Sequence, residues 1–275
     1  MEEHEKRFLA AKAKKVRQLT IDSIGRLGVG HVGGSMSIAE VLTLLYYRHM
    51  NVDPQDPRRR DRDQLVLSKG HAGPSLYAVL ADKGYFPMDW LHTLNRGGTR
   101  LPSHCDRNLT PGVDMTTGSL GQGLSAAVGI ALGNRLDNIE STVYCIIGDG
   151  ESNEGQVWEA AQAASQYCLG NLIAFTDYNK MQIDGYMCDV MNIEDLTAKW
   201  VAFGWFALRV NGHDLEEMDR AIERAKAQKH RPSMIVLDTI KGKGIYFAEG
   251  KLASHNMPVA YADALEAIDR LEKEG

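Results

Sequence analysis

Asp149 and Asn179 stand 30 positions apart, each close behind a run of apolar residues, and both carry hard oxygen donors. The runs are Thr142 to Ile147 and Leu172 to Asp177. Between them a Gly-Asp-Gly turn at Gly148 to Gly150 leads into a helical stretch over about Asn153 to Cys168. Strand, helix and strand in that order make a βαβ unit, whose right-handed crossover returns the chain in parallel and brings both strand ends to one edge. Ligands of open parallel sheets collect at that carboxyl edge. A carboxylate and a carboxamide, with no Cys or His in the pair, suit Mg2+ or Ca2+ rather than zinc. Magnesium uses few protein carboxylates and completes its octahedron with phosphate oxygens and water. Gly148 and Gly150 let the backbone approach such phosphates, and the next helix N-terminus presents free N–H groups to negative charge. The pattern describes a cradle for a metal-bound diphosphate. An isolated Gly-Asp-Gly is ordinary turn chemistry, so this reading rests on the ordered context.

The elements that must position these residues follow from periodicity. Phe8 to Leu27 carries apolar residues at helical intervals, and Gly25 to Gly30 ends the pattern. Ser37-Ile38-Ala39-Glu40 matches a capping box for a second helix with an apolar face of Ile38, Val41, Leu42, Leu45 and Tyr46. Leu65 to Leu67 reads as a short strand, and Pro74 opens a helix to Asp82. Beyond the βαβ unit come helix Asp195 to Phe203, strand Phe206 to Val210, helix Leu215 to Ala227, strand Ser233 to Thr239 and a closing helix near Val259 to Glu274. Alternating strands and helices predict an α/β fold, a doubly wound, mostly parallel sheet with helices on both faces. No repeat or Pro/Ser-rich linker divides the chain, so one domain over 1–275 is expected.

Composition narrows the function. The chain is 44% hydrophobic, and 31 basic against 36 acidic residues leave a net charge of -5, which excludes a broad footprint for nucleic acid or anionic membrane. Arg58, Arg59 and Arg60 lie among Asp56, Asp61 and Asp63 and read as a solvated loop. Cys105, Cys145, Cys168 and Cys188 form no CxxC pair and lack the density of a disulfide framework, so reduced thiols and a cytoplasmic setting are expected. The charged stretch from Met1 to Lys15 is no signal peptide, and no apolar run reaches membrane-spanning length.

Several further motifs fall in register with the cradle: Gly30-His31, Ser68-Lys69-Gly70-His71, Thr117-Gly118-Ser119-Leu120-Gly121-Gln122-Gly123, Gly148-Asp149-Gly150 and Asn179. In order and spacing they resemble the N-terminal domain of transketolases, and the resemblance covers nearly the whole chain. It implies the thiamine-diphosphate-binding fold, with thiamine diphosphate and Mg2+ (or Ca2+ in its place) as cofactors. Asp149, Asn179 and the backbone carbonyl of Met181 are then the metal ligands. Gly150 and His71 are implied contacts of the diphosphate. Gly118 and Leu120 border the aminopyrimidine, and Glu154 reaches toward a subunit interface. His31, His104 and His255 resemble the histidines that surround substrate. The family breaks a ketose C2–C3 bond and passes a two-carbon ketol unit to an aldose acceptor, with alkoxides formed and quenched on the way. Histidine suits that proton traffic because it titrates near neutrality. A lone His after Gly is usually a satisfied loop residue, and His49, His92, His213 and His230 are read so.

Transketolases of full length add a pyrimidine-binding domain, whose glutamate activates the cofactor, and a third domain. No second α/β array follows Lys241. The resemblance therefore implies a separate C-terminal partner subunit carrying the pyrimidine-binding domain, in a heterotetramer of two such halves. Leu101-Pro102-Ser103-His104-Cys105-Asp106 replaces the usual Gly-His-Pro, which leaves the sugar open; Cys105 is expected to pack. Other readings are a 1-deoxyxylulose-5-phosphate synthase-like or 2-oxoacid dehydrogenase-like subunit, or a non-catalytic cofactor-binding subunit. A nucleotide dehydrogenase fails for want of GxGxxG after the first strand.

Overall fold

Five apolar segments pair as one sheet in the computed structural model, which describes residues 1–273. Helices α1 (Glu3–Leu27), α2 (Val32–Met36), α3 (Ala39–Leu44) and α4 (Gly73–Lys83) come before α5 (Gln122–Leu136) and α6 (Gly155–Gln166). They are followed by α7 (Met187–Val190), α8 (Leu196–Ala202), α9 (Leu215–Lys226) and α10 (Tyr261–Lys273). Strands β2 (Gln64–Leu67), β3 (Val143–Gly148), β4 (Leu172–Tyr178), β5 (Phe206–Asn211) and β6 (Ser233–Asp238) form the sheet in the order β2-β3-β4-β6-β5, every pair parallel. The residue pairs β1 (Val29–Gly30) and β7 (Met257–Pro258) join in a small antiparallel ladder at one side.

Alternate residues of each strand feed opposite layers, as the two-residue strand period requires. Tyr144, Ile146, Phe175 and Ile235 pack with Ile21, Leu42 and Ile222 on one face. Val143, Cys145, Ile147 and Ala174 pack with Leu124, Val157 and Trp200 on the other. The central strands are thus buried on both sides, which is why their sequences run apolar without alternation. Val143 pairs with Leu172 and Gly148 with Asp177, so β3 and β4 end level at the carboxyl edge.

Four local readings need correction. α1 begins at Glu3, five residues before Phe8, because Glu3 and Glu5 put negative charge in its first turn. The capping box is not formed: Ser37 Oγ hydrogen-bonds Asp177 Oδ2 at 2.7 Å, and Glu40 is buried against Arg17 at 2.7 Å. α6 starts at Gly155 after a 3₁₀ turn over Gly150–Asn153, and stops at Gln166 before Cys168, whose φ is 51°. α5 is additional; rich in Gly and Ala, it shows little amphipathic contrast. The closing helix is α10, and Glu274 lies outside the described residues.

Candidate active site

The carboxyl edge of the sheet carries Asp149 at the end of β3 and Asn179 just past β4, and both side chains are buried. Asp149 Oδ1 accepts Gly150 N–H at 2.7 Å, and Oδ2 accepts Lys180 N–H at 2.5 Å, so its carboxylate is fixed to the loop that contains Asn179. Asn179 Oδ1 accepts Met181 N–H at 3.2 Å, while its Nδ2 donates to Asp177 Oδ2 at 3.0 Å. Burial, followed by the nearby Asp177 charge, pushes the Asp149 carboxyl up to about 7. A buried acid in that condition favours a cation beside it, since a bound metal requires the deprotonated form. The donors are a carboxylate, an amide oxygen and, at Met181, a carbonyl, all hard oxygens that fit Mg2+. Among the described residues no group of three His, Cys, Asp or Glu side chains is set to hold a metal.

Beneath this edge lies a charged network that sequence reading missed. Lys69 and Asp177 are almost wholly buried and form an ion pair. Asp177 also accepts from Ser37 at 2.7 Å and Thr239 at 2.5 Å, and Lys69 Nζ donates to Gly34 O at 2.8 Å. Burial alone would raise the Asp177 carboxyl, but Lys69 and these donors outweigh it and hold it low. Losing one partner of such a pair strands a buried charge. Lys241 Nζ lies 3.4 Å from Met181 O and 3.3 Å from His255 Nδ1; burial lowers its ammonium to about 8. The only sequence signal for either lysine was proximity to a motif: Lys69 lies within Ser-Lys-Gly-His, and Lys241 follows the last strand.

His31, at the head of α2, is central to four converging imidazoles. Its ring centroid lies 5.3 Å from His71, 5.5 Å from His104 and 5.5 Å from His255, and His71 lies 5.2 Å from His255. Segments far apart in sequence supply them: the 3₁₀ turn Gly70–Ala72, the loop through His104, and the 3₁₀ turn Leu252–His255. Burial first, then the neighbouring cations, brings His31 and His255 down to about 4. His71 is held well below its ordinary value, and burial lowers His104. The cluster is therefore neutral at pH 7, each ring with one donor and one acceptor nitrogen.

Glycines bring the loops together. Gly118 has φ 142°, and a Cβ there would stand 2.9 Å from His104 Cδ2. A Cβ on Gly70 would meet the Thr117 carbonyl carbon at 2.7 Å. Gly150 packs beside Gln182 in the Asn179 loop. Leu120 and Glu154 are not in the histidine cluster: both are exposed, and Glu154 adjoins Gly121 at the head of α6. Cys105 is buried and its thiol is pushed up to about 12, so it packs and is unreactive. His49 and His213 are held by acidic neighbours, Asp219 and Glu40 respectively, as structural residues.

A parallel sheet with an oxygen-donor loop at its carboxyl edge, set between buried cations and imidazoles, defines an α/β domain of the thiamine-diphosphate-binding class. A family model described as "Transketolase, thiamine diphosphate binding domain" matches residues 9–272, and the chain belongs to the transketolase family. It is 59% identical over 267 residues to a 6-deoxy-6-sulfo-D-fructose transketolase subunit of Clostridium sp. (strain MSTE9), covering 97% of each chain. To an apulose-4-phosphate transketolase subunit of Phocaeicola vulgatus it is 37% identical over 273 residues, again covering 97% of each. Among solved structures, a transketolase mutant from Pichia stipitis superposes with a TM-score of 0.88 at 32% identity, covering 97% of this chain and 40% of that one. Transketolase from Leishmania mexicana gives 0.87 at 31% identity, with 97% and 45% covered. The chain thus spans less than half of these solved transketolases and nearly all of the two subunits. Among the described residues no helix is long and apolar enough to cross a membrane.

Proposed function

We propose that this chain, one domain over 1–275, is the diphosphate-binding subunit of a two-chain, thiamine-diphosphate- and Mg2+-dependent transketolase of the cytoplasm. The observation that carries the reading is the convergence of the Asp149–Asn179–Met181 loop with four imidazoles and the buried amines of Lys69 and Lys241. Asp149 and Asn179 side-chain oxygens and the Met181 carbonyl hold the ion. Gly150 and His71 would meet the diphosphate, and the Lys241 ammonium, 3.4 Å from Met181 O, would supply positive charge beside it. When bound, the cofactor supplies a nucleophilic thiazolium carbon. The chain's own residues do the proton work: neutral His31, His104 and His255 can each donate to a substrate oxygen that becomes an alkoxide, then take the proton back.

Gly118 and Leu120 are assigned to the approach to the aminopyrimidine, and Glu154, which is exposed, to contact with a second protomer. The partner contributes the pyrimidine-binding domain, in a heterotetramer. The likeness to a subunit named for 6-deoxy-6-sulfo-D-fructose, at 59% identity, supports a ketose with a sulfo group at C6 as donor. The test is reconstitution. This chain alone is expected to give no ketol transfer, and mixing it with a partner bearing pyrimidine-binding and C-terminal domains restores turnover. In a donor panel the 6-sulfo ketose should exceed fructose 6-phosphate in kcat/KM. Ordinary turnover by the isolated chain contradicts the split assembly, and a preference for the phosphate contradicts the donor.

A further inference from the structure

Glu151 has no part in the proton or metal chemistry above, yet it is 3% exposed and lies two residues past Asp149. Its carboxylate is spent entirely on three loops. Oε1 accepts from Ser68 Oγ and from Gly121 N–H at 2.9 Å, and Oε2 accepts from Gly148 N–H at 2.9 Å. Ser68 begins Ser-Lys-Gly-His, Gly121 lies in Thr-Gly-Ser-Leu-Gly-Gln-Gly, and Gly148 precedes Asp149. These segments approach too closely for side chains to separate them: a Cβ on Gly123 would lie 2.2 Å from Ser68 Oγ. With side-chain packing excluded there, a polar fastener must set the relative height of the loops. A carboxylate offers enough lone pairs on two oxygens to serve all three donors at once.

We propose that Glu151 is a positioning residue that fastens the histidine loop, the aminopyrimidine loop and the metal loop in the register that binds cofactor. The proposal rests on the transketolase reading and adds to it a residue that touches no ligand. Glu151→Gln tests it with little change of volume. A carboxamide presents one oxygen only, so its NH2 must face either Gly148 N–H or the Ser68 and Gly121 donors, and at least one anchor is lost. In the complex reconstituted with the partner chain, the apparent KM for thiamine diphosphate at saturating Mg2+ should rise by about 10- to 100-fold, the range for residues that orient ligating groups. At saturating cofactor, kcat should largely recover. Ser68→Ala removes one arm and should raise the same constant by a smaller factor; it also serves if Glu151→Gln fails to fold.

A merely structural role predicts a lower unfolding temperature with an unchanged cofactor constant in the folded fraction, and that result overturns the proposal. So does wild-type cofactor affinity in Ser68→Ala. If the wild-type complex itself takes up no thiamine diphosphate, the functional reading fails along with the fastener. If wild type binds and both variants bind equally well, only the fastener fails.

Discussion

Asp149→Ala should abolish Mg2+-dependent uptake of thiamine diphosphate, by at least about 100-fold in affinity, and silence the two-chain enzyme without unfolding the protein. The carboxylate is the only formal charge among the proposed protein ligands, and the Lys180 and Gly150 amides hold it in place. Removing it takes away the strongest attraction for the ion and unfastens the Asn179 loop. Stability should suffer less, because burial already disfavours the Asp149 carboxylate, whose pKa is raised to about 7. Calorimetric titration of thiamine diphosphate with and without Mg2+, beside circular dichroism of the unliganded chain, separates the effects. Full activity in an Asp149→Ala complex would favour a non-catalytic cofactor-binding subunit instead.

The second large effect is expected at His31. Its ring lies within 5.5 Å of three other imidazoles, the most central position in the cluster. His31→Ala should lower kcat by about 10²–10⁴-fold, the usual contribution of a positioned acid–base group, with cofactor affinity largely retained. Added imidazole should restore part of the rate. Because the ring is already neutral at pH 7, its loss removes a hydrogen-bonding and proton-transfer group and leaves the net charge of the site unchanged. A decrease in unfolding temperature with no change in kcat would assign His31 to packing alone.

Which parts of the site could be read from sequence follows from the range of the interactions. The β3–α6–β4 unit was legible because hydrophobic period and a turn motif are local, and they put Asp149 and Asn179 at one edge before any contact was known. The histidine cluster was legible only through motif order, since nothing local ties His31 to His255, 224 positions later. Asp177 was hidden as the last residue of an apolar run, and its partner Lys69 is 108 positions away. Ser37 departs from the capping box for the same reason: a cap depends on its neighbours, but tertiary folding offers Ser37 a buried carboxylate instead. Glu151 carries no local signal of its role, because its three donors come together only when separate loops meet. α5 is not legible from local propensity because its glycines and alanines are held helical by packing on β3 and α6.

A crystal structure of the chain with its partner, soaked with thiamine diphosphate and Mn2+ and phased on the metal's anomalous signal, addresses the central claim most directly. One ion is expected about 2.0–2.2 Å from Asp149, the Asn179 side-chain oxygen and the Met181 carbonyl, with the cofactor diphosphate held at the same loop. An ion bound elsewhere, or a diphosphate that leaves this loop untouched, would contradict it.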